Sequence, residues 1–256
     1  MPKSIITWAG RSSAEYGITV ERFPALNRPS RKYEKVSVPG RNGDIYFYQD
    51  SFSNYIQQYE IYAGSRNGSA PDAWTEVFNW LYPEDRAVST DDFLNLTING
   101  YHQLIDSYEP NAIRLAAFNE AVEVANEWNQ IARAAISFDC RPERFTSDAF
   151  TPVSFTASGG HVTNNTKRNA KPCLKVYGSG AGTLTVGNEI ISISAINGYI
   201  YIDSELKNCY KGMNDLNLNN LVTLTSEFPI LKPGNTYITW TGGITQIDVI
   251  PRWWNL

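Results

Sequence analysis

Lys32-Tyr-Glu-Lys-Val-Ser-Val38, then Pro39-Gly-Arg-Asn-Gly43, then Ile45-Tyr-Phe-Tyr48 is the stretch from which the fold is read. The first run alternates Tyr33 with Lys35 and ends in two valines; the second is aromatic after an isoleucine. Both suit a pleated, half-buried surface. Between them, Pro-Gly and Asn-Gly mark a turn, because glycine takes positive φ freely and asparagine tolerates it. The pattern predicts a β-hairpin with Pro39, Gly40, Arg41, Asn42 and Gly43 at its tip. Arg41 there either reaches a neighbouring molecule or stands as a solvated turn arginine.

Working outward, more strands appear. Ser4 to Trp8 is a short apolar segment, and Gly17 to Phe23 sets Ile18, Val20 and Arg22 against Thr19, Glu21 and Phe23. One helix interrupts them. Ser69 is placed to cap it, Pro71 sits in its first turn, and Asp72 suits the positive end of its dipole. Trp74, Val77, Phe78 and Leu81 fall at i, i+3, i+4 and i+7, one apolar face that is expected to pack on a sheet, and Pro83 ends the run. Leu115 to Ala135 has helix-like composition, yet Val122 and Val124 alternate and Ala134 to Cys140 is strand-like. It is read as two strands joined around Asn126-Glu-Trp-Asn129.

Composition changes after Arg144. Residues 145–170 are rich in Thr, Ser, Asn and Gly, with one strand expected at Pro152 to Thr156, and they read as a boundary region. Beyond lies a plain β domain. Cys173 to Tyr177 is a strand and Gly178-Ser-Gly-Ala-Gly182 a loop. Thr183 to Val186, Glu189 to Ile196 and Tyr199 to Asp203 follow as a meander turning at Gly187-Asn188 and Asn197-Gly198. Leu221 to Thr225, Thr236 to Thr241 and Ile244 to Ile250 complete it. Short strands at this spacing predict a sandwich or barrel. The expectation is two β-rich domains, 1–144 and 145–256.

Bulk properties narrow the function. Of 256 residues 42% are hydrophobic and only 19% charged, with 15 Tyr, 11 Phe and 7 Trp. A low-charge, aromatic-rich surface fits a subunit that buries much of itself against neighbours. The net charge is −4 and no Lys/Arg run occurs, so no electrostatic footprint for nucleic acid is visible. Cys140, Cys173 and Cys209 are far apart and lack the close pairing of zinc ligands, so they read as buried thiols. Neither a signal peptide nor a membrane span is apparent. The chain is expected to fold in a cytoplasm, where the sequon-like Asn67-Gly-Ser69 and Asn95-Leu-Thr97 carry no meaning.

The search for chemistry yields little. His102 and His161 lie in no catalytic or metal-binding motif, and no G-x-S-x-G elbow exists. The loop Gly178-Ser-Gly-Ala-Gly182 imitates a dinucleotide loop, but its third glycine would fall at Thr183 and a strand follows where a helix is needed. Asp203 and Glu205, at i and i+2 on a strand, would share a face about 7 Å apart, the arrangement of a glycosidase pair. The Trp253-Trp254 pair could stack on sugars, or plug a core or an interface. No catalytic residue, cofactor or metal is assigned.

Several phrases together resemble the distal tail protein family of long-tailed phages. They are Pro29-Ser-Arg-Lys-Tyr-Glu-Lys-Val-Ser-Val-Pro-Gly-Arg-Asn-Gly43, Ile136-Ser-Phe-Asp-Cys-Arg-Pro142 and Asn164-Asn-Thr-Lys-Arg-Asn-Ala-Lys-Pro172. Tyr177-Gly-Ser-Gly180, Ile202-Asp-Ser-Glu205, Phe228-Pro-Ile-Leu-Lys-Pro-Gly-Asn235 and Ile250-Pro-Arg-Trp253 follow. They keep the family's order and cover nearly the whole chain. The resemblance implies a mainly β protein: an N-terminal ring-forming β domain with a split-barrel-like sheet and one helix, then a C-terminal galectin-like β-sandwich. It implies a structural, non-enzymatic subunit of the virion tail tip, made in the bacterial host cytoplasm. Such subunits form a hexameric ring, the baseplate hub, between the tail tube protein and the tail-associated lysin or fibre protein. In some phages receptor-binding proteins attach at the periphery. No nucleic acid or membrane is bound directly. A galectin-like fold does not by itself imply sugar binding. Two readings compete: a carbohydrate-binding module contacting the host surface, and a hydrolase using Asp203 or Glu205.

Overall fold

In a computed structural model of the chain, Tyr55–Gly64 and Ile131–Thr146 form the longest antiparallel pairing of the N-terminal half. The residues described are 4–64, 69–83, 100–128, 131–212 and 216–256, with only the backbone at 126–128. The protein is mainly β, with one α-helix among the described residues. The described residues divide into two compact units, one running up to Arg144 together with Leu256, the other from Phe145 to Asn255.

The first unit holds β1 (Ile6–Trp8), β2 (Arg11–Ser12), β3 (Ile18–Val20), β4 (Arg31–Val36), β5 (Ile45–Phe52) and β6 (Tyr55–Gly64). These are followed by α1 (Ala70–Leu81), β7 (His102–Asp106), β8 (Ala112–Ala117), β9 (Ala125–Trp128) and β10 (Ile131–Thr146). One sheet runs β2-β1-β7-β8-β10-β6-β3, with β9 paired to β10; β4 and β5 form a separate two-stranded sheet. Alternation sets the core. In β6, Tyr55, Gln57, Tyr59, Ile61 and Ala63 are buried. They lie opposite Cys140, Phe138, Ile136, Ala134 and Ala132 of β10, so both strands present one face inward.

Helix α1 forms as its local sequence dictates. Ser69 and Asp72 make a reciprocal capping box, Asp72 N–H donating to Ser69 Oγ and Ser69 N–H to Asp72 Oδ2. The Ser69 hydroxyl and N–H hold the Asp72 carboxyl below its ordinary value. Trp74, Val77 and Leu81 are buried in the sheet's core with Trp80, while Phe78 is half-buried. Trp80 Nε1 donates to the Arg11 carbonyl, and Trp8 Nε1 to that of Leu81, so both indoles are buried without an orphaned donor.

The stretch 115–135 differs from expectation. Val122 and Val124 do not belong to a strand; they pack half-buried on the core ahead of β9. Strand β9 already occupies Ala125–Trp128 and pairs antiparallel with β10, and residues 129–130 between them lie outside the described residues. Asn67 and Asn95 also lie outside them.

The second unit contains β11 (Val153–Phe155), β12 (Gly160–Asn164), β13 (Cys173–Val186), β14 (Glu189–Asp203) and β15 (Asn208–Lys211). Then come β16 (Leu216–Asn217), β17 (Val222–Leu224), β18 (Gly234–Ile250) and β19 (Trp254–Asn255). Its sheet runs β11-β18-β13-β14-β15-β16, with β12 added on β18 and β17 on β14. One expected loop, one expected turn and the gap between two expected strands are strand interior. Gly178–Gly182, Asn197-Gly198 and Gly242-Gly243 do not end their strands; β13, β14 and β18 run through them. The register slips by a bulge between Gly180 and Gly182 in the β13–β14 pairing and on either side of Gly178 in the β13–β18 pairing, while Asn197-Gly198 stays in register with Ser179 and Gly178. A bulge bends a strand without ending its pairing. The strands cross so closely that a Cβ on Gly243 would stand 1.9 Å from the Ser179 carbonyl oxygen, and one on Gly178 2.2 Å from that of Gly243. Glycine marks a corner here, not a turn.

Candidate assembly surface

The predicted hairpin is β4–β5, paired Tyr33 with Tyr48, Glu34 with Phe47, Lys35 with Tyr46 and Val36 with Ile45. At its tip the Arg41 N–H donates to the Val38 carbonyl at 3.2 Å. Pro39 and Gly40 occupy the two central positions, and Gly40 has φ +80°. That is a type II turn, which requires positive φ at its third residue. Gly43 also lies in the left-handed region, at φ +83°. A Cβ at either glycine would meet nothing within 4 Å, so any penalty there comes from backbone angle alone. Pro39, Gly40, Arg41, Asn42 and Gly43 are all exposed, and the Arg41 guanidinium has no partner among the described residues.

Register places side chains on the ribbon's two faces. One face carries Tyr33, Tyr46 and Tyr48, with ring centroids 5.3 to 6.3 Å apart. Arg31 lies over the Tyr48 ring at 4.8 Å. Lys35 Nζ pairs with Asp44 at 2.7 Å, and this bond raises the Lys35 pKa. The other face carries Glu34, Val36 and Phe47. All of β4 is exposed, and β5 is exposed except at its half-buried ends. Tyr33, Tyr48 and Phe47 remain more than half exposed. A two-stranded ribbon is marginal in water by itself, and clustered bare aromatics mark an interaction surface.

The residues considered for chemistry are otherwise engaged. Asp203 and Glu205 do not form a pair on a strand face: β14 ends at Asp203, and Glu205 lies in the following turn. Arg252 Nη1 and Nη2 donate to the two Asp203 oxygens at 2.7 Å each, and the N–H groups of Glu205 and Leu206 donate to Oδ1. Burial alone would pull the Arg252 pKa down, but the Asp203 carboxylate holds it above the ordinary value. Glu205 pairs with Lys171 at 2.9 Å. This constellation caps a turn and locks the chain's end.

Trp253 is buried, while Trp254 donates from Nε1 to the Asn169 carbonyl and lies under Arg168. His102 packs edge-on to Trp8, and His161 lies beside Tyr237. All three cysteines are buried and free, and burial pushes each thiol up to about 12. Among the described residues no cluster of metal ligands occurs, and no helix is long and apolar enough to cross a membrane.

Sequence reading missed a second buried charge cluster. In the first unit Arg114 donates to Asp106 at 3.2 Å and also pairs with Glu109, which takes Arg144 at 2.6 Å. Tyr59 donates to Asp106 at 2.8 Å. Only the spacing of Asp106, Glu109 and Arg114 around a turn hints at it.

No family model and no curated protein matches the sequence. Among solved structures the fold is similar to that of SPP1 Dit (gp 19.1), described as a paradigm of the hub adsorption apparatus in phages infecting Gram-positive bacteria. The TM-score is 0.69 at 12% identity, over 99% of both chains. At that identity the likeness is one of fold, and it extends from end to end; the family resemblance read from the sequence is borne out as a shared architecture.

Proposed function

We propose that this chain is a structural subunit of a phage tail-tip hub, assembling through its N-terminal unit into a closed ring. The observation that carries this reading is the end-to-end fold likeness to a phage hub protein. The β4–β5 ribbon supports it, since an exposed aromatic arm finds its burial in a neighbour. Closed rings arise from head-to-tail contacts between unlike surfaces of identical subunits, and an arm that leaves its own unit uncovered suits such a contact. The ring is hexameric by family resemblance and sits between the tail tube protein and the tail-associated lysin or fibre protein. Receptor-binding proteins are further partners at its periphery. Residues 1–144 make the ring, and 145–256 form a galectin-like sandwich outside it. The role is non-enzymatic and the location is the virion tail tip.

Light scattering at high protein concentration, with negative-stain images alone and with the tail partners, tests the reading. The expected result is a ring that the triple substitution Tyr46→Ser, Phe47→Ser, Tyr48→Ser disperses without unfolding the monomer. A chain that stays monomeric even with its tail partners refutes the hub. A ring unaffected by the triple substitution refutes the ribbon's part in it.

A further inference from the structure

Helix α1 leaves one flank open. Ala70, Pro71, Trp74, Thr75 and Phe78 fall at i, i+1, i+4, i+5 and i+8, one continuous stripe beside the face that packs in the core. Val124, half-buried, and Ala132 of β10 complete a groove of about 330 Å³. The Trp74 and Phe78 rings stand 6.0 Å apart along it. The Thr75 hydroxyl is turned back to the Pro71 carbonyl, to which it donates at 3.0 Å, so the wall is largely apolar.

One atom breaks that pattern. Trp74 is 3% exposed, and its Nε1–H has no acceptor among the described residues, whereas those of Trp8 and Trp80 are both paired. A buried indole ordinarily finds an acceptor, so the groove holds a spare donor. Its surroundings are acidic. Residues Ala70–Leu81 and 118–125 carry Asp72, Glu76, Glu120 and Glu123 and no Lys or Arg. Arg133, next to Ala132, alternates to the other face of β10, where it pairs with Glu21 at 3.0 Å.

We propose that this groove receives the tyrosine face of the β4–β5 ribbon from a second copy of the chain. The inference rests on the ring reading above and names its two mating surfaces. Tyr46 and Tyr48 are 45% and 59% exposed, and their rings lie 6.2 Å apart and nearly parallel, at 17°. A cavity of about 150 Å³ holds one benzene ring, so this groove has room for about two. A phenol brings an apolar ring to the walls and a hydroxyl oxygen that accepts the Trp74 N–H; Phe47, on the ribbon's other face, has no such acceptor. Arg41, exposed at the ribbon's tip and without a partner among the described residues, then meets the acidic rim. Opposite charges of this kind fix the register of a contact and exclude its reverse. A projecting aromatic ribbon and a concave apolar groove are unlike surfaces of one subunit, as head-to-tail closure requires.

The test uses the full chain. The three native thiols are buried, so introduced surface thiols react alone. Arg41→Cys, Thr75→Cys and the double variant are treated at high protein concentration with a flexible bismaleimide, each thiol adding across one maleimide double bond. Both positions are exposed, so the fold should hold. The double variant should give a ladder of covalent multimers, and each single variant a weak dimer at most. Adding Tyr46→Phe and Tyr48→Phe keeps the rings, removes the acceptors and should thin the ladder several-fold. A ladder no stronger than that of an Arg41→Cys, Ser192→Cys control overturns the proposal. So do a link within one chain, a ladder that appears only when tail partners are added, and a ladder unchanged by the Tyr→Phe pair. Negative-stain images separate the two readings. Rings without the ladder leave the hub standing and remove the groove, whereas a ladder without closed rings leaves the contact and removes the ring.

Discussion

Replacing Arg252 by Met tests how the second unit is held closed. Asp203 is 1% exposed and Arg252 6%. The guanidinium supplies two of the four hydrogen bonds that the Asp203 carboxylate accepts, the others coming from the Glu205 and Leu206 N–H groups. Removing it strands a carboxylate in a site that water does not reach, and breaking a buried pair in this way costs about 3–5 kcal/mol. Arg252→Lys should lie between, because an ammonium keeps the charge but cannot match the fork. The Asp203→Leu, Arg252→Met double variant should lose less than the sum of the single losses, since no lone charge remains. Urea unfolding followed by hydrogen exchange in β13 and β14 reads the effect. With a slope of about 2 kcal/mol per M, the midpoint should fall by about 2 M for Arg252→Met. A loss below about 1 kcal/mol would mean that water reaches the pair, and additive single losses would mean that the two side chains do not act together.

Two glycines should respond differently to an added side chain. Gly43→Val meets only the penalty of positive φ, about 1–3 kcal/mol, and should weaken ring assembly with the turn; Gly243→Ala meets no such penalty but sets a Cβ 1.9 Å from the Ser179 carbonyl oxygen, so the two backbones must move apart, and calorimetry should show the larger fall in melting temperature. The thiols set an alkaline limit. Cys140, Cys173 and Cys209 are raised by burial from 9.0 to about 12, so their stabilisation is full below pH 9 and is lost as pH rises through 9 to 12. Urea midpoints should fall across that window, more shallowly in Cys173→Ala, and iodoacetamide at pH 8 should label none of the three until the chain unfolds.

Much of the local structure is legible because its causes are local. Ser69, Pro71, Asp72 and Pro83 bound the helix within one or two turns of chain, and Pro39 with Gly40 dictates a turn by φ alone. The resemblance to a tail-protein family also lay in short phrases, and the shared fold agrees with it. Other features depend on partners far along the chain. Gly178–Gly182 and Asn197-Gly198 look like turns, since a glycine that reverses a strand and one that bends it are the same residue; only the cross-strand register separates them. Asp203 looks like a free acid until Arg252, 49 residues later, takes both its oxygens. The alternation of Tyr33, Tyr46 and Tyr48 would serve a buried strand equally well. Their exposure follows because, among the described residues, the ribbon pairs only with itself. Periodicity and turn chemistry act over a few residues, whereas burial, ion pairing and concavity depend on which strands become neighbours. The folded chain alone decides that.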